Sequence, residues 1–159
     1  MSEMSEWYCV RIPAEGEPEL VPMSGEEFDF RELQRMVDGH FEDTHVHVPS
    51  DLTKNDEEVL LIVDEEGKLK GKPLNPLATD MHMAYYECER CAEYAVEGVF
   101  DPIVGTAILC GLRVFPSDES AWGEIDYAGW RQDEANRVLA YVKEQYRRLN
   151  QPVGGVADA

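Results

Sequence analysis

Five consecutive apolar residues, Val59-Leu60-Leu61-Ile62-Val63, constrain this chain more than any other stretch. The run is too short for a typical helix and rich in β-branched side chains, so it predicts a buried strand, central in its sheet. Asp64-Glu65-Glu66-Gly67 follows, where the glycine tolerates the positive φ of a tight turn, and Leu69 and Leu74 supply apolar anchors beyond it. The run specifies a fold element and carries no reaction chemistry.

The remaining elements follow from periodicity. Trp7–Ile12 alternates and reads as a first strand closed at Pro13, with Leu20–Met23 as a short edge partner. Helical spacing of Phe30, Leu33, Met36 and Val37 predicts a helix over 29–38, stopped by Gly39. Alternation resumes over 41–48 as a second long strand, ended by Pro49. Two prolines and a glycine between 69 and 76 favour an irregular crossing, after which Leu77–Met83 begins a helix. The apolar run 103–114 is a further core strand. The longest helix begins near 127–130 and runs to 149, with Trp130, Ala135, Val138, Leu139, Val142, Tyr146 and Leu149 near one face. The expected architecture is one α+β domain over residues 1–150, a mixed or antiparallel sheet covered by the short helix and the long C-terminal helix, with 151–159 as a disordered tail.

Thirty-three acidic residues stand against 14 basic ones, a formal charge of −19. That balance argues against direct binding to nucleic acid or an anionic membrane, which the surface would repel. Three causes produce such a charge: plain solubility, adaptation to high salt, and imitation of the DNA phosphate array. With no 18-residue apolar run and an acidic rather than basic N-terminus, the expectation is a soluble, cytoplasmic protein.

Three segments carry a family resemblance: Arg31-Glu32-Leu33-Gln34-Arg35-Met36-Val37-Asp38-Gly39, then Asp64-Glu65-Glu66-Gly67-Lys68-Leu69-Lys70-Gly71-Lys72-Pro73-Leu74-Asn75, then Asp101-Pro102-Ile103-Val104-Gly105-Thr106-Ala107. In this order they resemble a family of small proteins labelled only as a domain of unknown function and common in bacteriophages and mobile elements. The likeness covers residues 7–115 and implies a phage or plasmid-type origin, with no agreed activity or catalytic residue to carry over. The chain departs from that pattern at 81–100, where a brief turn is expected.

The candidate chemistry is sparse. Cys88 and Cys91 form a C-x-x-C pair, which with His82 or with His45 and His47 gives a zinc ligand set; the plainer reading of the same cysteines is as small core or surface residues on a helix, and the residues before Cys88 do not resemble a redox site. No other cofactor is expected. Asp43, His45 and His47 form an acid–base cluster on one strand face, suited to a small hydrolase, or simply a polar strand face. Lys68, Lys70 and Lys72, with Asn75, offer a turn that cradles an anionic ligand such as a nucleotide phosphate, or a solvated turn. Cys9 and Cys110 sit inside apolar strands as buried thiols. Because no catalytic signature accompanies the charge, the expected function is non-enzymatic: an acidic accessory protein that binds a basic host protein, such as a nucleic-acid-binding or defence protein, with DNA mimicry as its specific form.

Overall fold

The computed structural model describes residues 6–87 and 102–151. Among the described residues six strands form one antiparallel sheet: β1 (Trp7–Ile12), β2 (Glu19–Met23), β3 (Phe41–His45), β4 (Glu58–Asp64), β5 (Ala107–Phe115) and β6 (Glu124–Ala128). Three helices among the described residues cover it: α1 (Phe30–Val37), α2 (Pro76–Glu87) and α3 (Gln132–Leu149). The chain is α+β, as its patterning predicts. The strand order is β2-β1-β5-β4-β3, and β6 continues the β1 side of β5, pairing Gly111–Phe115 where β1 pairs Ala107–Leu109.

The apolar run folds as β4, flanked on both sides by strands, while β5 takes the middle of the sheet. Alternation divides β4 between two cores. Val59, Leu61 and Val63 face α2 and α3, joined by Val10, Ile12, Leu109, Met81, Val138 and Val142. Ile62 faces α1, with Cys9, Ile108, Cys110, Leu33 and Val37. A strand apolar on both faces is what a sheet covered on both sides requires, and each fully buried Leu or Ile contributes about 1.5–3 kcal/mol of transfer free energy.

Three boundaries differ from the sequence reading. The strand expected over 103–114 joins the sheet only at Ala107, Val104 making an isolated bridge to Leu74 instead. The strand expected over 41–48 leaves the ladder after His45, because Val46 turns into the α2–α3 core and the His47 backbone N–H points to the Met81 carbonyl. The C-terminal helix starts at Gln132, since Glu124–Ala128 pairs with β5 as a strand and Trp130 bridges to Tyr8. At the end of α1, the residue in the left-handed region is Asp38 (φ 58°), and Gly39 serves another purpose, taken up below. The α1 N-terminus is capped by Asp29, whose carboxylate accepts from the Arg31 N–H at 2.8 Å.

Candidate functional site

The Asp64–Asn75 stretch carries a dense set of polar contacts. Asp64 ends β4 with its side chain only 1% exposed. Its Oδ2 accepts from Lys70 Nζ at 2.8 Å and Lys72 Nζ at 2.6 Å, and its Oδ1 accepts from the Glu66 N–H at 2.9 Å. Burial raises the carboxyl pKa, but the hydrogen bonds from Lys70 and Lys72 outweigh it and lower the value to about 2. The two ammonium groups also reach the C-terminal carbonyls of α1: Lys72 donates to Val37 and Asp38, and Lys70 to Asp38. They thereby satisfy carbonyls that the helix leaves without partners and oppose its dipole. Gly39 permits this approach, since a Cβ there would lie 2.5 Å from Lys70 Nζ and 2.7 Å from the Asp64 carboxylate.

Asn75 is fully buried. Its amide Nδ2 donates to the carbonyls of Ile12 and Gly105, both at 2.8 Å, and its Oδ1 accepts from the Ala78 N–H at 3.1 Å, capping α2. Of the residues considered as an anion cradle, Lys70, Lys72 and Asn75 therefore have internal partners that join α1, α2, β1 and β4. Lys68 instead lines a cavity of about 210 Å³ with Glu42, Glu65 and Val104.

A larger cavity, about 550 Å³, opens where the chain leaves β3 and returns to β4. One wall is His45, Val46, His47, Val48 and Pro49, and the other is Asp56, Glu57, Glu58 and Val59, with Tyr85 of α2 contributing beside them. His45 stacks on Tyr85, ring centroids 4.5 Å apart and planes within 9°. Its Nδ1 lies 2.9 Å from Glu58 Oε2, and since an ionised carboxylate only accepts, this nitrogen carries the proton. Two of the three residues of the acid–base cluster, His45 and His47, thus share a concave site. Asp43 does not line it, and its Oδ2 accepts from the Tyr127 hydroxyl; the carboxylate beside His45 is Glu58.

The acidic wall is held from behind. Asp56, its side chain 1% exposed, accepts from Arg113 Nη2 at 2.6 Å and from Trp130 Nε1 at 2.7 Å, and Arg113 also donates to Glu26 at 2.6 Å. Burial disfavours the Arg113 cation, but the hydrogen bonds it donates to Asp56 and Glu26 prevail and raise its pKa. The intervening loop is fixed by Val46 and Leu52 in the core and by the Lys54 N–H on Glu134 of α3 at 2.9 Å. The cleft is therefore preformed, framed by apolar side chains with carboxylates along one rim.

Only the histidines of the zinc ligand set lie among the described residues. Cys88 and Cys91 lie outside the described residues, and among the described residues no group of three or more His, Cys, Asp or Glu is placed to hold a metal ion. His82 is buried, its Nδ1 donating to the His45 carbonyl at 2.6 Å. Cys9 and Cys110 are buried free thiols in β1 and β5; burial pushes Cys9 up to about 12 and raises Cys110 as well. No helix among the described residues is long and apolar enough to cross a membrane.

A family model described as a domain of unknown function, DUF3846, matches residues 9–117, from β1 through the end of β5. The chain belongs to this family. No curated protein and no solved structure matches it. The DUF3846 match contains the whole cleft and the Asp64–Asn75 stretch, and it ends before β6 and α3.

Glu57, Glu58 and Tyr85 were not among the sequence candidates. The Asp56-Glu57-Glu58 run was visible as charge, but its pairing with the histidines depends on the β3–β4 register, His45 opposite Leu60, which no local pattern encodes.

Proposed function

We propose that this DUF3846 chain is a non-enzymatic binding protein for a basic protein, and that the cleft lined by His45, His47, Glu57 and Glu58 receives a lysine or arginine side chain of that partner. The observation that carries the reading is the cleft itself: a preformed cavity with Val46, Val48 and Pro49 to pack an aliphatic stem, and Glu57 and Glu58 at the rim to meet a cationic head. The −19 net charge supports it, since the field that repels nucleic acid draws basic proteins in. Among the protein's own cations, Arg11, Lys70, Lys72, Arg113, Arg147 and Arg148 are held on carboxylates other than Glu57 and Glu58. An accessory protein of phage or mobile-element type that occupies a host nucleic-acid-binding or defence protein fits this chemistry, and DNA mimicry is its most specific form.

Calorimetric titration with a short arginine-rich peptide tests it. Saturable binding is expected, weakening as salt rises, and at least about tenfold weaker in the Glu57→Gln, Glu58→Gln double variant. No binding, or equal binding of a peptide with glutamine for arginine, would overturn the reading.

A second reading is favoured by one contact, His45 Nδ1 on Glu58 Oε2 beside His47, which is the geometry of an oriented general base. Turnover of simple ester or phosphate substrates that disappears in His45→Gln would decide for a small hydrolase instead.

A further inference from the structure

The sheet face that carries α1 is only partly covered. With eight residues α1 is about 12 Å long, whereas the nine residues of β5 extend about 30 Å. Leu33 and Val37 cover Ile108 and Cys110 near the start of β5. By strand alternation Leu112 and Val114 continue the same face, and the register places Tyr127 opposite Leu112 and Ile125 opposite Val114. Beyond the helix, Val114 is 42% exposed and Ile125 61%. The turn joining these strands carries Trp122, which is 91% exposed. Toward α1 the apolar surface continues through edge-to-face contacts, Tyr127 to Phe41 at 5.9 Å and Phe41 to Phe30 at 5.6 Å, and Phe30 is itself 58% exposed. Large apolar side chains left exposed between the helix and the β5–β6 hairpin mark a protein-contact surface.

We propose that this stripe, from Phe30 to the Trp122 hairpin, is the surface on which a basic protein docks. The proposal rests on the reading of the chain as a binder of a basic protein and adds a second, apolar contact to it. Charge selects the occupant. No lysine or arginine occurs between Arg113 and Arg131, while Asp118 and Glu119 stand in the β5–β6 turn and Asp43 sits on the Tyr127 hydroxyl; Glu124 and Asp126 alternate to the opposite face. A second copy would set the same carboxylates against each other across the interface, whereas a basic partner neutralises them as Trp122 and Ile125 enter an apolar recess. Exposed tryptophan at the end of a hairpin is also the residue type that most often dominates binding energy.

The test uses a displayed library of random peptides, selected against the full chain and then measured with purified proteins. Selected peptides are expected to combine Lys or Arg with aromatic or branched aliphatic residues, and their affinity to fall at least about tenfold in Trp122→Ser, Ile125→Ser. Both side chains are largely exposed, so this variant should keep the wild-type melting temperature. Basic peptides that bind wild type and variant equally would overturn the docking surface and leave the basic-partner reading standing. Neutral or acidic peptides that still require Trp122 would overturn the basic-partner reading and with it the occupant named here. Sedimentation of the wild type as a dimer that dissociates in the variant would assign the stripe to a second copy and overturn the proposal.

Discussion

At the residue scale, Asp64 joins the centre of the fold to the end of α1. Its carboxylate faces two ammonium groups, and its removal leaves both without their counter-charge. Asp64→Asn is expected to cost roughly 2–4 kcal/mol in urea unfolding at neutral pH. The pH dependence has a defined sign. Because the folded pKa is depressed to about 2 from an unfolded value of about 3.9, the contribution is fully present above about pH 4 and is lost as pH falls through about 2. Solvent around Lys70, whose side chain is 40% exposed, reduces it to on the order of 1–2 kcal/mol. Wild type should therefore lose stability more steeply than Asp64→Asn between pH 4 and 2, and parallel curves would contradict the clamp. The lysines stood out in the sequence as a cluster near glycines. Their partners did not, because Val37 and Asp38 lie more than thirty positions away and are main-chain carbonyls, which no side-chain pattern reveals.

At the element scale, strands and helices with strong periodicity were legible: β1 at its observed limits, β4 to within a residue at each end, and α1 likewise. β6 was not. Its five residues, Glu124-Ile125-Asp126-Tyr127-Ala128, alternate, but Tyr127 and Trp130 also fall in phase with the helix that follows, so the pattern read as one long helix. Only the pairing with β5 separates the two. In the part of β5 that pairs with β6, Gly111 leaves room for Asp56, whose Oδ1 would lie 2.3 Å from a Cβ there. Asp56 has little room to yield, held as it is by Arg113 and Trp130. Gly111→Ala is expected to lower stability by about 2–3 kcal/mol and to change Trp130 fluorescence as its N–H loses the carboxylate. Unchanged melting and emission would show that Asp56 moves freely and that the acidic wall of the cleft is not fixed.

At the scale of the whole molecule, the charge was the clearest signal in the sequence and the least specific. A −19 excess says which macromolecules are repelled, but not where a partner is met. The location proposed here is the cleft that His45 and His47 line together with Glu57 and Glu58, two segments joined by a loop whose ends meet through the β3–β4 ladder. The most direct measurement is a nuclear magnetic resonance titration with the arginine-rich peptide, following the ring signals of His45, His47 and Tyr85. A cation entering the cleft should shift these signals together, saturably and at one affinity, and the Glu57→Gln, Glu58→Gln variant should abolish the shifts while other resonances stay in place. Small, non-saturating shifts spread over the acidic surface, with the three rings no more affected than the rest, would contradict a cleft built to receive a basic side chain.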